Sequence, residues 1–264
     1  MKFKITRKMK LDLCRQAPEF TDILRNAGIH SFECSGDLFP ALVRSIISQQ
    51  LALRAADAIH RRVEQLLGSI TPERLKQVDQ KDLRRCGLSQ RKIDSITGAA
   101  DAALSGKKNF RKIAELPDNE IIQELISLKG VGVWTAEMLL IFALGRPDVL
   151  SFSDLGIRRG IMALNHLDSL SRNDFEFYRK RYSPYGTLAS LCLWKIKDGG
   201  LNIGKDPGAV KREKASSPPP DQGKKLRHAK TKREKKDSSS SSSPGKKKPS
   251  RNGSKSRSGS SLQE

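Results

Sequence analysis

The sequence predicts an all-α fold with short connections between the helices, followed by a basic tail. Apolar residues recur at helical spacing through most of residues 1–204. Residues that favour helix starts and helix ends border these patterns. Long stretches of alternating polar and apolar residues, which would indicate strands, are missing from the sequence. Helices of this kind bury one face each, so we expect them to pack around a shared apolar interior.

The first strong pattern predicts one long helix over Leu38–Leu67. Leu42 and Ile46 are among the apolar residues that recur there at helical spacing. Asp37 is placed to cap the start of this helix, and Gly68 is placed to end it.

The remaining helices are predicted from residues that favour helix N-termini. Asp, Ser and Thr side chains accept hydrogen bonds from the N–H groups of the first turn, and proline fits the first helical position. The predicted segments start at Thr71 with Pro72, at Ser89 (to Ala103), at Asp118 (to about Ser127), near Val133, at Asp154 (to Asn165), at Asp174 (to about Tyr182) and at Tyr185 (to Lys197).

Positive charge is concentrated at the end of the chain. Residues 205–264 contribute +12 of the net charge of +21 and include Pro218–Pro220 and the serine run Ser238–Ser243. So few apolar residues cannot offset the entropy cost of ordering the segment. We therefore expect a folded domain over residues 1–204 and a disordered tail over residues 205–264. The tail either contacts nucleic acid or carries an address signal, or it serves only to keep the chain in solution.

The charge and the cysteines exclude several classes of protein. A strongly basic chain points to a polyanionic partner, and no apolar run is long enough to span a bilayer, so nucleic acid is favoured over a membrane. The basic start Met1–Leu11 leads into no apolar segment, so we expect an intracellular protein. The cysteines form no CxxC pair, so neither a metal site nor another cofactor is expected. They are Cys14, Cys34, Cys86 and Cys192.

A glycine-rich turn between two helical patterns is the first feature that suggests chemistry. Gly130 and Gly132 lie on either side of the apolar Val131. Glycines permit a tight turn, which leaves N–H groups exposed at the start of the next helix, where they bind anions such as phosphate. On these residues alone, a simple helix–helix turn remains the alternative.

Three strings carry a resemblance to a known family. Leu128–Ala136 resembles the helix-hairpin-helix motif of DNA glycosylases, Arg146–Gly160 resembles the Gly/Pro-rich loop and aspartate of that superfamily, and Arg181–Trp194 resembles its closing helix. The resemblance is closest to the bacterial and fungal 3-methyladenine DNA glycosylases of the AlkA/Mag type. It implies a helix-hairpin-helix glycosylase fold with two helical lobes, acting as a monomer on double-stranded DNA that contains damaged bases.

Asp154 is the candidate catalytic residue. By its local sequence it is a helix N-cap, and the resemblance assigns it the catalytic role. Cleavage of an N-glycosidic bond develops positive charge on the sugar, which an ionised carboxylate stabilises while it can also deprotonate the attacking water. An alkylated purine is already a cationic leaving group, so one carboxylate suffices. The sequence shows no convincing second acid beside Asp154.

The resemblance also implies a base pocket and a minor-groove probe. Its pocket walls fall at Trp134, Met138 and Tyr182, for which plain core positions are the alternative. The pair Gln49-Gln50 interrupts an apolar helix pattern. Gln50 is expected to fill the gap left by the flipped base and Gln49 to support it, whereas an exposed polar pair is the alternative. The hairpin adds Gly130, Val131, Gly132 and Thr135 to the predicted DNA-binding residues.

Trp134 also decides between two kinds of glycosylase. Superfamily members that cut the DNA strand carry a lysine nucleophile two residues after the second hairpin glycine, and Trp134 occupies that position here. Indole cannot form a Schiff base. We therefore expect a monofunctional DNA-3-methyladenine glycosylase II that removes alkylated purines in base excision repair, in the nucleoid or a nucleus. A glycosylase for deaminated or mismatched bases and a non-catalytic DNA-binding module are the alternatives.

Overall fold

A computed structural model describes residues 1–197 and is built almost entirely of helices, which confirms the predicted all-α class. The predicted domain boundary after residue 204 and the predicted tail lie outside the described residues. The helices are α1 (Arg7–Gln16), a 3-10 turn (Pro18–Phe20), α2 (Thr21–Asn26), α3 (Leu38–Ser48), α4 (Leu53–Leu67), α5 (Pro72–Gln77), α6 (Gln80–Arg85), α7 (Gln90–Leu104), α8 (Phe110–Ile113), α9 (Asp118–Ile126), α10 (Val133–Phe142), α11 (Leu155–Leu164), α12 (Arg172–Tyr182) and α13 (Gly186–Lys197).

A short two-stranded sheet ties down the start of the chain. Strand β1 (Lys2–Phe3) pairs antiparallel with β2 (Phe32–Glu33), and Phe3 lies opposite Phe32 in the register. The two phenyl rings contact each other with their centroids 5.2 Å apart. The N-terminal 36 residues are therefore folded onto the helical body.

The helices surround two hydrophobic cores, in agreement with the two predicted lobes. The first core is formed by α3 to α10, and the second by α1, α2 and α11 to α13. The segment between α10 and α11 passes from one core to the other, since Val149 is buried in the first core and Leu150 in the second. Trp194 of α13 packs against both cores, so it lies at the seam between the lobes.

The predicted single helix over Leu38–Leu67 is wrong, because the chain breaks between α3 and α4. Gln50 adopts a φ of 58°, in the left-handed region that a continuous helix cannot contain. Leu51 and Leu53 continue the apolar pattern in the sequence, yet both side chains are exposed. The polar pair Gln49-Gln50 therefore belongs to a connecting loop, which we call the probe loop (residues 49–52).

Several predicted helix starts are confirmed by their capping bonds. The side chains of Asp37, Thr71 and Ser89 each accept a hydrogen bond from a backbone N–H in the first turn of α3, α5 and α7 respectively. These residues satisfy donors that the first turn of a helix leaves without a partner.

Two predicted helix starts are wrong. Helix α9 is preceded by Pro117, and Asp118 is its first residue, with the carboxylate 3.2 Å from Nε of Arg146. Helix α12 has Ser171 as its N-cap, and Asp174 is the third residue of the helix, where the two side chains form a reciprocal capping box. In both cases an acidic residue stabilises the first turn from within, where the positive end of the helix dipole favours it.

None of the helices within residues 1–197 has the length and apolar composition that a membrane span requires.

A glycine sets the separation of α11 and α13. A Cβ atom on Gly160 would lie 2.7 Å from the backbone oxygen of Leu193 and 2.8 Å from its Cβ atom. Those distances are too short for any side chain. The two helices can therefore pack this closely only because residue 160 has no side chain, and the close packing holds the start of α11 beside the end of α13.

We expect Gly160→Ala to lower the free energy of unfolding by about 1–3 kcal/mol, because the added methyl group forces two packed helices apart. The matched control is Gly98→Ala in α7, where an added Cβ meets no heavy atom within 4 Å. Alanine favours a helix over glycine, so the control should keep or raise stability by up to about 1 kcal/mol. Urea unfolding measures both; equal losses in the two variants would contradict the account of the α11–α13 contact.

Candidate active site

Asp154 lies at the N-cap of α11, as predicted, and is almost fully buried. Its side chain is 9% exposed, and Oδ1 accepts a hydrogen bond of 2.8 Å from the backbone N–H of Ile157. The start of a helix presents N–H donors and a positive dipole end, which suit a carboxylate. The local sequence therefore fixes one side of this group.

Two tryptophans hold the rest of the Asp154 carboxylate. Trp134 of α10 donates from Nε1 to Oδ2 at 2.8 Å, and Trp194 of α13 donates from Nε1 to Oδ1 at 3.1 Å. With the Ile157 N–H, three donors from three helices contact the two carboxylate oxygens. A buried charge without such partners would be costly, so this arrangement both permits and orients the carboxylate.

The two indoles differ in their surroundings. Trp134 is 41% exposed, so part of its ring faces solvent directly beside Asp154. Trp194 is half-buried and stacks on Phe142 with ring centroids 5.8 Å apart and planes within 19°. Trp134 can therefore contact a bound base, whereas Trp194 is fixed by packing. The sequence placed Trp194 only at the end of the closing helix and indicated no role for it. A buried indole N–H normally requires an acceptor, and this requirement is the signal that could have indicated the contact.

Glu137 is a second carboxylate near Asp154, which corrects the expectation of a lone acid. It follows Trp134 by one turn of α10, and its Oε2 accepts a hydrogen bond from the buried hydroxyl of Ser151. Burial raises the pKa of Glu137; the Ser151 bond and the nearby Arg172 act against this rise, and the charge of Asp154 adds to it. Glu137 thus ties α10 to the loop that leads into Asp154.

The predicted pocket walls do not all reach the site. Trp134 contacts Asp154, and Met138 is half-buried with its side chain packed against the first core. Tyr182 is fully buried in the second core, where its ring meets Phe20 edge-on at 4.9 Å, and burial raises its pKa. The expectation that Tyr182 lines an open pocket is therefore incorrect for this structure, since α12 directs the ring into the protein interior.

The glycine hairpin has the form that the sequence indicated. Gly130 has a φ of +83°, and a side chain there would collide with the Ser95 hydroxyl. Val131 is buried against the first core, while Gly132 and the first residues of α10 are exposed. The N–H groups in the first turn of a helix have no partner within the helix. The exposed start of α10 therefore offers donors for a phosphate, in the same turn of the helix that carries Trp134.

The probe loop is joined to this hairpin by Gln49. Its Nε2 donates to the backbone oxygen of Gly130 at 3.0 Å and to Oγ1 of Thr135 at 3.3 Å. Gln50, the next residue, is exposed. The structure therefore brings together two stretches that lie some 80 residues apart in the chain: the predicted probe and the predicted phosphate-binding turn.

Comparison with known protein families agrees with this geometry. Residues 43–183 match the family model described as "HhH-GPD superfamily base excision DNA repair protein", which spans the probe loop, the hairpin and Asp154. The chain belongs to the HhH-GPD superfamily. The resemblance to this superfamily seen in the hairpin and in the aspartate loop, both within residues 43–183, is thereby confirmed.

Individual superfamily members are more than a third identical to the chain over the aligned residues. It is 38% identical over 162 residues to DNA-3-methyladenine glycosylase 1 of Schizosaccharomyces pombe, covering 60% of this chain and 71% of the relative. It is 37% identical over 199 residues to the DNA-3-methyladenine glycosylase of Saccharomyces cerevisiae, covering 61% of this chain and 67% of the relative. These relatives are of the AlkA/Mag type.

Solved structures of superfamily members have the same fold. The DNA-3-methyladenine glycosidase of Bacillus halodurans matches with a TM-score of 0.65 and 34% identity, over 75% of this chain and 92% of the other. The Schizosaccharomyces pombe 3-methyladenine DNA glycosylase, solved in complex with abasic DNA, matches with a TM-score of 0.64 and 31% identity, over 75% of this chain and all of the other.

The raised pKa of Glu137 makes stability depend on pH. Because the folded protein holds this proton more tightly than the unfolded chain, the wild type loses stability as pH rises through the range between the unfolded and folded pKa values. Glu137→Gln removes the titration and keeps an acceptor for Ser151. We expect its free energy of unfolding, relative to wild type, to increase as the pH rises above the ordinary glutamate pKa of about 4.3.

Urea unfolding across this pH series measures the difference. Glu120→Gln, at an exposed position on α9, lacks the burial and should not show the increase. A difference between Glu137→Gln and wild type that does not change with pH would show that Glu137 is not a buried acid of the kind described.

Proposed function

We propose that this protein is a monofunctional DNA glycosylase that hydrolyses the N-glycosidic bond of alkylated purines, chiefly 3-methyladenine, and so initiates base excision repair. The observation that carries the proposal is the Asp154 carboxylate, held by three N–H donors beside the exposed ring of Trp134. The names of the relatives in yeast and in Bacillus support the choice of substrate.

The carboxylate suits the charge that develops in this reaction. As the bond between base and sugar breaks, the deoxyribose acquires oxocarbenium character, and a fixed anion beside it lowers the energy of that state. Oδ2 of Asp154 is engaged by a single indole N–H, so it keeps acceptor capacity for the attacking water. The alkylated purine leaves as a neutral base, so the reaction requires no strong acid.

The exposed part of Trp134 supplies a surface for the base. An electron-rich indole face attracts a cationic purine by roughly 0.5–2 kcal/mol through cation–π interaction. The hydrogen bond to Asp154 fixes the orientation of this ring. We propose Trp134 and, one turn further along α10, Met138 as the pocket walls, without Tyr182.

Two loops are proposed to hold the DNA in this reaction. The N–H groups of Gly130, Gly132 and the first turn of α10 bind a backbone phosphate, while Gln50 enters the duplex in place of the flipped base. The N–H of Val131 already donates to the backbone oxygen of Leu128. The Gln49 bonds to Gly130 and Thr135 keep the two loops in register. We therefore propose double-stranded DNA with a damaged base as the partner. We also propose that the protein is located with this DNA in the cell.

The same site argues against a lyase activity. Trp134 occupies the position of the lysine nucleophile and cannot form a Schiff base. The neighbouring Lys129 lies before the hairpin glycines and pairs with Asp94 at 3.4 Å. We propose that the product is an intact abasic site.

We also propose that two parts of the chain have different roles. Residues 1–204 would form the catalytic domain, and the basic residues 205–264 would add electrostatic attraction for DNA. Such attraction weakens steeply with added salt, since it depends on the release of counterions from phosphates.

Release of free base from methylated duplex DNA tests the proposed function. Asp154→Asn should reduce the single-turnover rate by about 100-fold or more, because it removes the charge while preserving the shape. Asp168→Asn, an exposed aspartate beyond the other end of α11, is the matched control and should release base like the wild type. Strand breaks should appear only after alkali.

Each departure from these outcomes contradicts a different part of the proposal. Full activity in Asp154→Asn would remove Asp154 from the mechanism. Strand breaks without alkali would contradict the monofunctional assignment. DNA binding without any base release, in the wild type and both variants, would indicate a non-catalytic module.

A further inference from the structure

The side chain of Lys92 lies directly against the probe loop. Lys92 is in the first turn of α7 and is partly buried. Its Nζ donates to the backbone oxygen of Ile47 at 2.7 Å and to that of Gln49 at 2.9 Å. The ammonium group thus bridges two main-chain oxygens, one at the end of α3 and one directly before Gln50. We call this pair of bonds the clamp.

This position is the C-terminal end of α3, where carbonyl groups lack helical partners. The last carbonyls of a helix carry partial negative charge, which a lysine ammonium satisfies well. Burial of Lys92 and the nearby Arg91 charge lower the pKa of the Lys92 amine. Burying this charge is therefore unfavourable in itself, and the two short bonds to carbonyl oxygens offset that cost.

The clamp acts on the residue with the most unusual backbone in the loop. Gln50 has a φ of 58°, a conformation that a non-glycine residue keeps only when its surroundings enforce it. Two contacts of Gln49 enforce it on the hairpin side, through Gly130 and Thr135. Lys92 enforces it from the α7 side.

The neighbouring arginine contacts the Gln50 side chain itself. Nη2 of Arg91 lies 3.4 Å from Oε1 of Gln50, and Arg91 is exposed. This long bond is made at the surface, so Gln50 can exchange it for contacts in a duplex. Lys92 differs, because its bonds are made to the main-chain oxygens of Ile47 and Gln49 and need not change when the side chain of Gln50 moves.

We propose that Lys92 is a positioning residue for damage recognition: it presets the backbone of the probe loop so that Gln50 projects into the gap left by a flipped base. This inference rests on the proposed function of Gln50 as the gap-filling residue. The probe loop is then ordered before DNA binds, so binding loses less conformational entropy. DNA with a flipped base is therefore bound more tightly.

A double-mutant cycle tests the proposal with the full-length chain. Lys92→Met keeps the aliphatic stem and removes the donors, and Gln50→Ala removes the probe. Lys92→Met should slow single-turnover base release from methylated duplex by about tenfold. The double variant should be no slower than Gln50→Ala alone, because Lys92 acts only through Gln50.

The matched control is Lys81→Met, which removes one positive charge from an exposed position on α6. It should leave the duplex rate within about twofold of wild type, since a single exposed charge contributes little. Multiplicative losses in the double variant, or equal losses in Lys81→Met and Lys92→Met, would overturn the positioning role. Should Lys92→Met fail to fold, as judged by urea unfolding, Lys92→Gln serves in the same cycle.

A binding measurement separates this proposal from the proposed function. The affinity for duplex carrying a tetrahydrofuran abasic analogue, divided by the affinity for intact duplex, reports gap filling without any chemistry. Lys92→Met should reduce this ratio by about tenfold, and Lys81→Met should leave it unchanged. If the wild type prefers the abasic analogue but releases no alkylated base, the substrate assignment fails while the Lys92 inference is still decided by this ratio. An unchanged ratio in Lys92→Met refutes the inference.

Discussion

The rest of the site depends on the hydrogen bonds that hold the Asp154 carboxylate. Its three hydrogen bonds come from the first turn of its own helix, from Trp134 at the start of α10 and from Trp194 near the end of α13. Each donor reaches the carboxylate only if its helix is correctly placed. A buried carboxylate with fixed partners therefore links the hairpin, the aspartate loop and the closing helix into one unit.

The architecture around the Asp154 carboxylate explains why the parts proposed to contact DNA can be loops. Trp194 packs against both cores at the boundary between them. The Asp154 carboxylate is therefore held by a side chain that the packed interior fixes in place. The probe loop and the hairpin lie on the exposed side and are joined by Gln49. Main-chain bonds, rather than extra secondary structure, set the shape of these loops. This arrangement combines a rigidly held carboxylate, the proposed reaction centre, with loop residues that remain exposed.

Local patterns predicted α5, α7 and α9 to α13, the hairpin and the capping position of Asp154, because glycine spacing and N-cap chemistry depend on neighbouring residues. Helices α1, α2, α6 and α8 were not predicted. The helix break at Gln50 was not predicted, because exposed leucines continue the apolar period across it. The contact from Trp194 and the closeness of Glu137 depend on how distant helices pack, which spacing does not reveal. Tyr182 is the opposite case. The resemblance places this residue in the base pocket, but its helix directs the ring into the core.

The most direct test of this account is the single-turnover rate of base release by Trp194→Phe on methylated duplex. Phenylalanine keeps a ring to stack on Phe142 but removes the N–H that orients Oδ1 of Asp154. The account predicts a rate about tenfold lower with unchanged affinity for the duplex, because only the orientation of the carboxylate is lost. A wild-type rate in a correctly folded Trp194→Phe protein would contradict the claim that the hydrogen bond from Trp194 orients Asp154 for catalysis.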